Sequence, residues 1–412
     1  MAGTYDYGPL GTLLKNNIKD LWMKTFVHAR TDMYALDAAI LMNQNVWKAT
    51  GHVDHFSDPL VECKKCKKRF RADQLETPPP EGKCPECHGE FGEVRQFNMM
   101  LSTKVGAVED SSSTSYLRPE TAQGIFVNFK NVVDSMNPKM PFGIAQIGKA
   151  FRNEITPRDF IFRLRELEQM EIEYFVKPSE WEQNFEYWKE EMLSWMGNIG
   201  LDMKKVHTVE IEEADRAHYS SRTIDFEFDY PFGQKELYGL AYRSNYDLSR
   251  HADASGQKLQ YVDQSEEGTD VFVPHVIEPT FGLDRTVLAV LLSAYREDQM
   301  DGENRVYLSL DPKVAPYKVC VSPLLKNKVE LVEKSKDVFK EIKSVFGNVV
   351  FDDNGNIGKR YRRQDEIGTP FCVVVDFESL EDNSVTVRFR DTGEQERVSL
   401  DSLVEFLKSK IS

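Results

Sequence analysis

The sequence predicts an α+β protein of two domains, the first carrying a small cysteine-rich insertion and the second built as an α/β unit. Strand-like alternation and helical periodicity succeed one another from the N-terminus to about residue 300. Paired cysteines interrupt this pattern between residues 61 and 95. Beyond residue 313 the order becomes βαβ over roughly 100 residues.

Taken in order, Gly8-Pro9-Leu10-Gly11 leads into Leu13, Leu14, Ile18, Leu21 and Trp22 at helical spacing, and an apolar stretch runs from Met33 to Met42. After the cysteine-rich segment, an amphipathic helix is expected near Ser179 to Met196. Asp301-Gly302 and Asp311-Pro312 mark a linker zone. Then Tyr317 to Val321 reads as a strand, Lys326 to Phe346 as a long charged helix, and Phe371 to Phe377 as a buried strand. The expected domains are therefore 1–305, with 61–95 inserted, and 313–412.

A chain of 412 residues with 41% hydrophobic and 29% charged content can bury an ample core. It holds no apolar run of signal-peptide or membrane-span length, so a cytoplasmic protein with no membrane partner is expected. The net charge of −15 argues at first against a nucleic-acid partner. Its distribution qualifies this, because from Lys313 onward 17 Lys and Arg balance 17 Asp and Glu. Two basic runs stand out, Lys64 to Arg71 and Gly358-Lys359-Arg360-Tyr361-Arg362-Arg363. Such runs are more often solvated surface than binding sites.

Residues 151–175, FRNEITPRDFIFRLRELEQMEIEYF, crowd four arginines and five glutamates into 25 positions. A solvated helix face is one explanation of mixed charge. Here Phe160, Phe162 and Leu164 alternate with Ile161, Arg163 and Arg165, and Thr156-Pro157-Arg158-Asp159 has turn composition. The expected structure is a strand, a loop and a returning strand, with charges facing a site.

Cys63-x2-Cys66 and Cys84-x2-Cys87, 17 residues apart, have the spacing of a four-thiolate zinc ribbon. Each Cys-x2-Cys turn supplies two ligands to a tetrahedral ion. Four thiolates leave no open position, so a structural Zn2+ is expected, with His88 an alternative ligand and disulfides disfavoured in a cytosolic chain. Cys320 and Cys372 read as ordinary buried thiols.

The chain lacks a Gly-x4-Gly-Lys-Ser/Thr loop and a Gly-x-Gly-x2-Gly fingerprint, so nucleotide binding would rest on arginines and a sheet surface. Arg118-Pro119-Glu120-Thr121-Ala122-Gln123-Gly124, the charged stretch, and Glu278-Pro279-Thr280-Phe281-Gly282-Leu283-Asp284-Arg285 together resemble motifs 2 and 3 of class II aminoacyl-tRNA synthetases. With Tyr5-Asp6-Tyr7-Gly8-Pro9-Leu10-Gly11 and the run from Gly358 to Pro370, the resemblance narrows to the homodimeric type of glycyl-tRNA synthetase and covers essentially the whole chain. It implies an antiparallel-sheet class II catalytic domain with a zinc-ribbon insertion, and a C-terminal α/β anticodon-binding domain.

The implied reaction joins glycine to tRNA(Gly) through a glycyl-adenylate, using ATP and Mg2+. By the resemblance Arg152 contacts the α-phosphate and the substrate carboxylate, Glu154 reaches adenine, and Arg285 holds the terminal phosphate. Arg152 and Arg285 are the implied catalytic residues. Asn153, Phe162, Arg163, Leu164, Arg165, Glu166, Leu167, Gly282, Leu283 and Asp284 complete the implied ATP site. Glu236 and Leu237 add a further contacting pair, Glu236 being the implied magnesium ligand. Arginine suits these roles because its guanidinium meets phosphate bidentately. The glycine-contacting positions fall on Glu120, Glu171, Glu278 and Thr280, with Arg71 beside them. Glu168 and Glu173 are expected to be surface charge. Arg360, Arg362 and Arg363 are the expected tRNA contacts, and the assembly implied is a homodimer.

Three departures accompany the resemblance. Leu167 stands where the family usually has Phe, replacing aromatic stacking on adenine by apolar contact. A proline common in motif 1 is replaced near Gln44. Tyr5-Asp6-Tyr7 lies almost at the start, without the usual leading segment, which implies a trimmed or divergent form of reduced activity. Prolyl or threonyl synthetases share the anticodon domain, and a non-catalytic DNA polymerase accessory subunit shares the fold. Arg118 to Gly124 and the glutamate set disfavour the first alternative, and Arg152, Glu154 and Arg285 disfavour the second.

Overall fold

A computed structural model describes residues 1–107, 113–265, 268–300 and 302–411. The chain packs into two compact units. One comprises Met1–Tyr5, Phe26–Met192 and Val206–Thr286, and the other Asp6–Thr25, Leu193–Lys205 and the chain from Val287 onward.

The first unit is organised by a seven-stranded sheet. Its strands are β1 (Met33–Ala35), β2 (Phe142–Phe151), β3 (Glu166–Val176), β4 (Val206–Glu210), β5 (Arg222–Tyr230), β6 (Gly233–Ser244) and β7 (His275–Gly282). The order is β1-β2-β3-β7-β6-β5-β4. β1 runs parallel to β2 and the remaining pairs are antiparallel. Alternation along β3 decides what each face carries. Met170, Ile172, Tyr174 and Val176 share one face, and Glu171, Glu173 and Phe175 share the other. On the second face, Phe175, Ile144 and Val276 pack with Ile125, Phe126 and Phe129 of the helix Ala122–Met136 and Leu248 of the helix Tyr246–Ser255. On the first face, Phe281 meets Phe26, and Tyr174 meets Trp188 of the helix Trp181–Asn198.

Residues 61–95 form a separate small cluster. Ser57–Glu62 pairs with Arg69–Arg71 on one side and Arg95–Asn98 on the other. Cys63, Cys84, Val61, Ala72 and Phe91 make its core.

In the second unit β8 (Val319–Pro323), β9 (Val349–Phe351), β10 (Phe371–Val375), β11 (Ser384–Phe389) and β12 (Gln395–Ser399) are ordered β9-β8-β10-β11-β12. β8 is parallel to β9 and β10, and β11 and β12 return antiparallel. Every residue of β8 and β10 is buried, as expected of strands covered on both faces. Leu331, Ser335, Val338 and Ile342 form the inward stripe of the helix Val329–Phe346. Cys320 and Cys372 are buried neighbours on β8 and β10.

Two sequence expectations are corrected here. Phe160–Phe162 is a 3-10 turn, and the returning strand begins only at Glu166. Asp159 and Phe160 take φ of 61° and 55°, a left-handed corner incompatible with an extended strand. The expected linker zone instead holds a hairpin, Tyr295–Met300 paired with Glu303–Leu308, while Asp301 lies outside the described residues. The C-terminal basic run lies on a helix, Ile357–Ile367, capped by the Asn356 side chain on the Lys359 N–H.

Candidate active site

The sheet face that carries Glu171 opens into a cavity of about 320 Å³ in the first unit. Of the residues expected from sequence, Glu120, Arg152, Glu154, Phe162, Arg163, Leu164, Leu167, Glu171, Glu236, Leu237, Glu278, Thr280, Gly282, Asp284 and Arg285 line it. Asn153, Arg165, Glu166, Leu283 and Arg71 do not. Arg165 is spent on the fold, donating to the Glu154 and Ala2 carbonyls. Arg71 pairs with Asp58 at 2.8 Å and Asp73 at 2.6 Å. Glu166 faces Lys149 at 2.9 Å.

One end of the cavity is arginine-rich. Arg285 Nη1 lies 3.1 Å from Glu236 Oε2, and its guanidinium stacks 4.3 Å from the Phe162 ring centre. Arg285 is the main influence holding the Glu236 carboxyl below its usual range, against burial. Arg152 is anchored by Nε to the Pro119 carbonyl at 3.0 Å, and Arg163 Nη1 donates to Gln74. Both arginines keep further N–H groups for an anion. Burial raises the Glu154 carboxyl, and its Oε2 is buried without a hydrogen-bond partner among the described residues. An acceptor left over in a cavity wall is suited to an amine donor on a ligand. Asp284 fixes the chain between the two ends, accepting the Glu168 N–H at 2.8 Å.

The other end is acidic. Glu171 accepts from Thr280 Oγ1 at 3.0 Å and from Thr121 Oγ1. Arg243, with no exposed surface, donates to Glu278 at 2.8 Å and to both oxygens of Asp247 at 2.7 and 2.9 Å. Gln123 bridges Glu120 at 3.1 Å and Asp247 at 2.8 Å, and His52 Nε2 lies 3.2 Å from Glu120. Burial works against Glu120's charge, but His52 and Arg243 hold its carboxyl well below the usual range. Burial pushes Glu278 up to about 8 and also raises Glu171. The site therefore contains both ionised and protonatable carboxyls, side by side.

Glu173 departs from expectation. It is fully buried rather than surface charge, because the alternation that aims Glu171 into the cavity aims Glu173 to the same side. Arg243, Asp247 and His52 were missed by sequence reasoning. Arg243 and Asp247 meet across the end of β6 and the start of the next helix, a pairing that spacing alone does not distinguish from a surface contact. Glu168 lines the cavity and is half-buried.

The four cysteines come together. Cys63 and Cys87 sulfurs are 3.5 Å apart and those of Cys66 and Cys84 are 3.7 Å apart. A tetrahedral zinc with Zn–S bonds of about 2.3 Å requires sulfur separations of about 3.8 Å. Disulfides, at about 2.05 Å, are excluded by these distances. Two matching turns create the arrangement. Lys67 and His88 are left-handed, with φ of 59° and 54°, and donate back to the carbonyls of Cys63 and Cys84. A Cβ on Gly89 would come within 3.1 Å of the Cys63 sulfur, so only glycine lets the backbone pass this close. His88 is exposed and is not among the clustered ligand atoms.

In the second unit Arg360 requires correction as an expected tRNA contact. It is 2% exposed, and its guanidinium donates to the carbonyls of Pro323, Asp353 and Gly355, so no face is left for phosphate. Arg362 donates to the Asn304 carbonyl and Arg363 to Asp352, both from partly exposed positions. No helix among the described residues is long and apolar enough to cross a membrane.

Known proteins match along the whole chain. Residues 106–295 match the tRNA synthetase class II core domain (G, H, P, S and T), and residues 318–410 match the anticodon binding domain. A glycine–tRNA ligase of Clostridium acetobutylicum is 48% identical over all of this chain and 94% of its own length. Those of Thermobifida fusca and Geobacillus kaustophilus are also 48% identical, again over the whole chain and 93% and 94% of theirs. With that identity along its full length, the chain belongs to the glycine–tRNA ligase family, a class II synthetase core followed by an anticodon-binding domain.

Proposed function

We propose that this chain attaches glycine to tRNA(Gly) in two steps, forming glycyl-adenylate from ATP and then passing glycine to the terminal ribose of the tRNA. The observation that carries the reading is the polarity of the cavity, with arginines at one end and buried carboxyls at the other. A nucleoside triphosphate needs the first and an amino acid's ammonium needs the second.

In this reading Arg152 and Arg163 orient the α-phosphate and the glycine carboxylate that attacks it, while Arg285 holds the terminal phosphate. Their N–H groups stabilise charge that grows on the phosphoryl oxygens, which is the main demand of phosphoryl transfer. The orphaned Glu154 oxygen supports a contact with the adenine amino group. Leu167 and Phe162 offer apolar walls to the base. Glu171 and Glu278, steadied by Thr121, Thr280 and Arg243, receive the ammonium. Glu120 stands beside them, already ionised. Asn153, Arg165, Glu166 and Leu283 would support this site from outside the cavity wall, and Arg71 has its charge engaged by aspartates.

Glu236, ionised and held by Arg285, is suited to a magnesium ligand. Mg2+ held there would neutralise phosphate charge. The four thiols fit Zn2+ in a structural ribbon spanning 61–95, since four sulfurs at tetrahedral separations leave no position for substrate. The catalytic domain is assigned to 1–305 and the anticodon-binding domain to 313–412. Arg362 and Arg363 are the proposed tRNA contacts there. A cytoplasmic homodimer completes the reading, by family membership.

ATP–pyrophosphate exchange tests it. Exchange should require glycine and fail with alanine, serine, proline and threonine; equal exchange with any of these, or none with glycine, would refute the reading.

A further inference from the structure

We propose that glycine's ammonium enters the Glu171–Glu173–Glu278 trio in exchange for a proton, and that Glu173 is the member that stays a neutral acid throughout. The inference rests on the reading of the acidic end as the glycine pocket.

One carboxylate oxygen from each of the three residues lies within 4.8 Å of the other two. Their exposures are 2%, 0% and 5% in sequence order. Neither oxygen of Glu173 has a hydrogen-bond partner among the described residues, although Glu171 has two hydroxyls and Glu278 has a guanidinium. Three ionised carboxylates cannot stand together out of water without matching positive charge.

The charges that face Glu173 do not supply it. From β6 comes Arg243, which already serves Asp247 with two bonds and Glu278 with one. From the helix Tyr246–Ser255 comes Asp247, a further negative group. The segment before the helix Ala122–Met136 brings Glu120, which lies 3.2 Å from His52 Nε2, and the helix itself brings the neutral Gln123. Tyr219 lies under Arg243 at 3.7 Å and adds no cation. On β2 the residue opposite Glu173 is Ile144. Carboxyls thus outnumber cations around the trio, and protons must fill the difference. Burial and Glu278 push the Glu173 carboxyl well above the usual carboxylate range, in accord with its lack of partners.

An incoming ammonium changes the balance. One cation arrives, the Glu278 O–H ionises, its proton leaves to solvent, and Glu278 and Glu171 both accept from the ammonium. Glu173, deeper and beside the apolar Phe175 and Ile144, keeps its proton. It acts as a positioning residue, since it touches no substrate and fills the floor under two groups that do.

Titration calorimetry of the full-length enzyme with glycine at pH 7, in PIPES, HEPES and Tris, reads the exchange. The slope of observed heat against buffer ionisation enthalpy should report release of up to about one proton per glycine. That release should shrink as pH is raised beyond 8, where Glu278 has already ionised. Glu173→Gln, which preserves a neutral polar floor, should still release the proton. Binding heats that do not depend on buffer would overturn the exchange, and loss of release in Glu173→Gln would overturn the role given to Glu173. Absence of any glycine heat in every buffer would instead defeat the glycine-pocket reading beneath it. The wild-type pH series stands without the variant, so a misfolded Glu173→Gln does not decide the matter.

Discussion

Arg243 donates a 2.8 Å hydrogen bond to Glu278 from a guanidinium that has no exposed surface at all. That arginine also holds Asp247 bidentately, so its removal would strand two carboxyls in the interior. Breaking a buried pair from one side costs about 3–5 kcal/mol. Arg243→Met should therefore lower the unfolding free energy by about that amount in chemical denaturation. Arg243→Lys should rescue only part, because an ammonium cannot reproduce the planar fork. A lysine variant as stable as the parent would show that charge alone matters here.

The thiol cluster should carry one zinc per chain. Elemental analysis of protein purified without chelator should find it, and cobalt substitution should give the absorption of a tetrahedral thiolate site. Removal of the metal should expose residues 61–95 to proteolysis first, since Cys63 and Cys84 are themselves part of that small core. Metal-free protein with four intact thiols and undiminished protease resistance would count against a structural ion.

Burial depresses the Lys318 amine to about 8, with Asp311 and Asp20 only partly opposing it. Its ordinary value is near 10.4. Between these values the unfolded chain binds more protons than the folded one, so stability from this group rises with pH. Below about 8 both states are protonated and the penalty for the buried charge is constant. Lys318→Met should flatten the stability profile between pH 8 and 10, as followed by denaturant midpoints. A profile with the same slope in both proteins would remove Lys318 as its source.

Arg362 and Arg363 should contribute to tRNA affinity through charge. Replacing both with Gln should weaken binding and reduce the log–log salt slope by about 0.7 for each single-strand phosphate that is no longer neutralised. Pyrophosphate exchange should be unaffected. Arg360→Gln should act differently, lowering stability because it unpins three backbone carbonyls. An unchanged salt slope in the double variant would exclude this helix from the tRNA surface.

Much of the architecture was legible because it follows local rules. The βαβ order of the second unit, the Trp181–Asn198 helix and the paired Cys-x2-Cys turns are all written in short-range periodicity or spacing. What sequence could not settle was facing and company. Alternation along β3 required Glu173 to share Glu171's side, yet nothing local revealed that this side is buried over its length. Arg243 joins Glu278 and Glu120 from distant segments, so its importance emerges only when the sheet order brings them together. Phe160 looked extended because its neighbours alternate. The left-handed corner at Asp159 and Phe160 breaks that alternation without a glycine to announce it.

Separate binding of glycine and ATP to Glu171→Gln and Arg285→Ala tests the division of the cavity most directly. A charge-assisted hydrogen bond contributes about 1.5–3 kcal/mol, or about 10- to 150-fold in affinity. Glu171→Gln should lose glycine affinity by that factor and keep its ATP affinity, while Arg285→Ala should lose ATP and keep glycine. If Glu171→Gln bound glycine normally and ATP weakly, the acidic end would not be the glycine site.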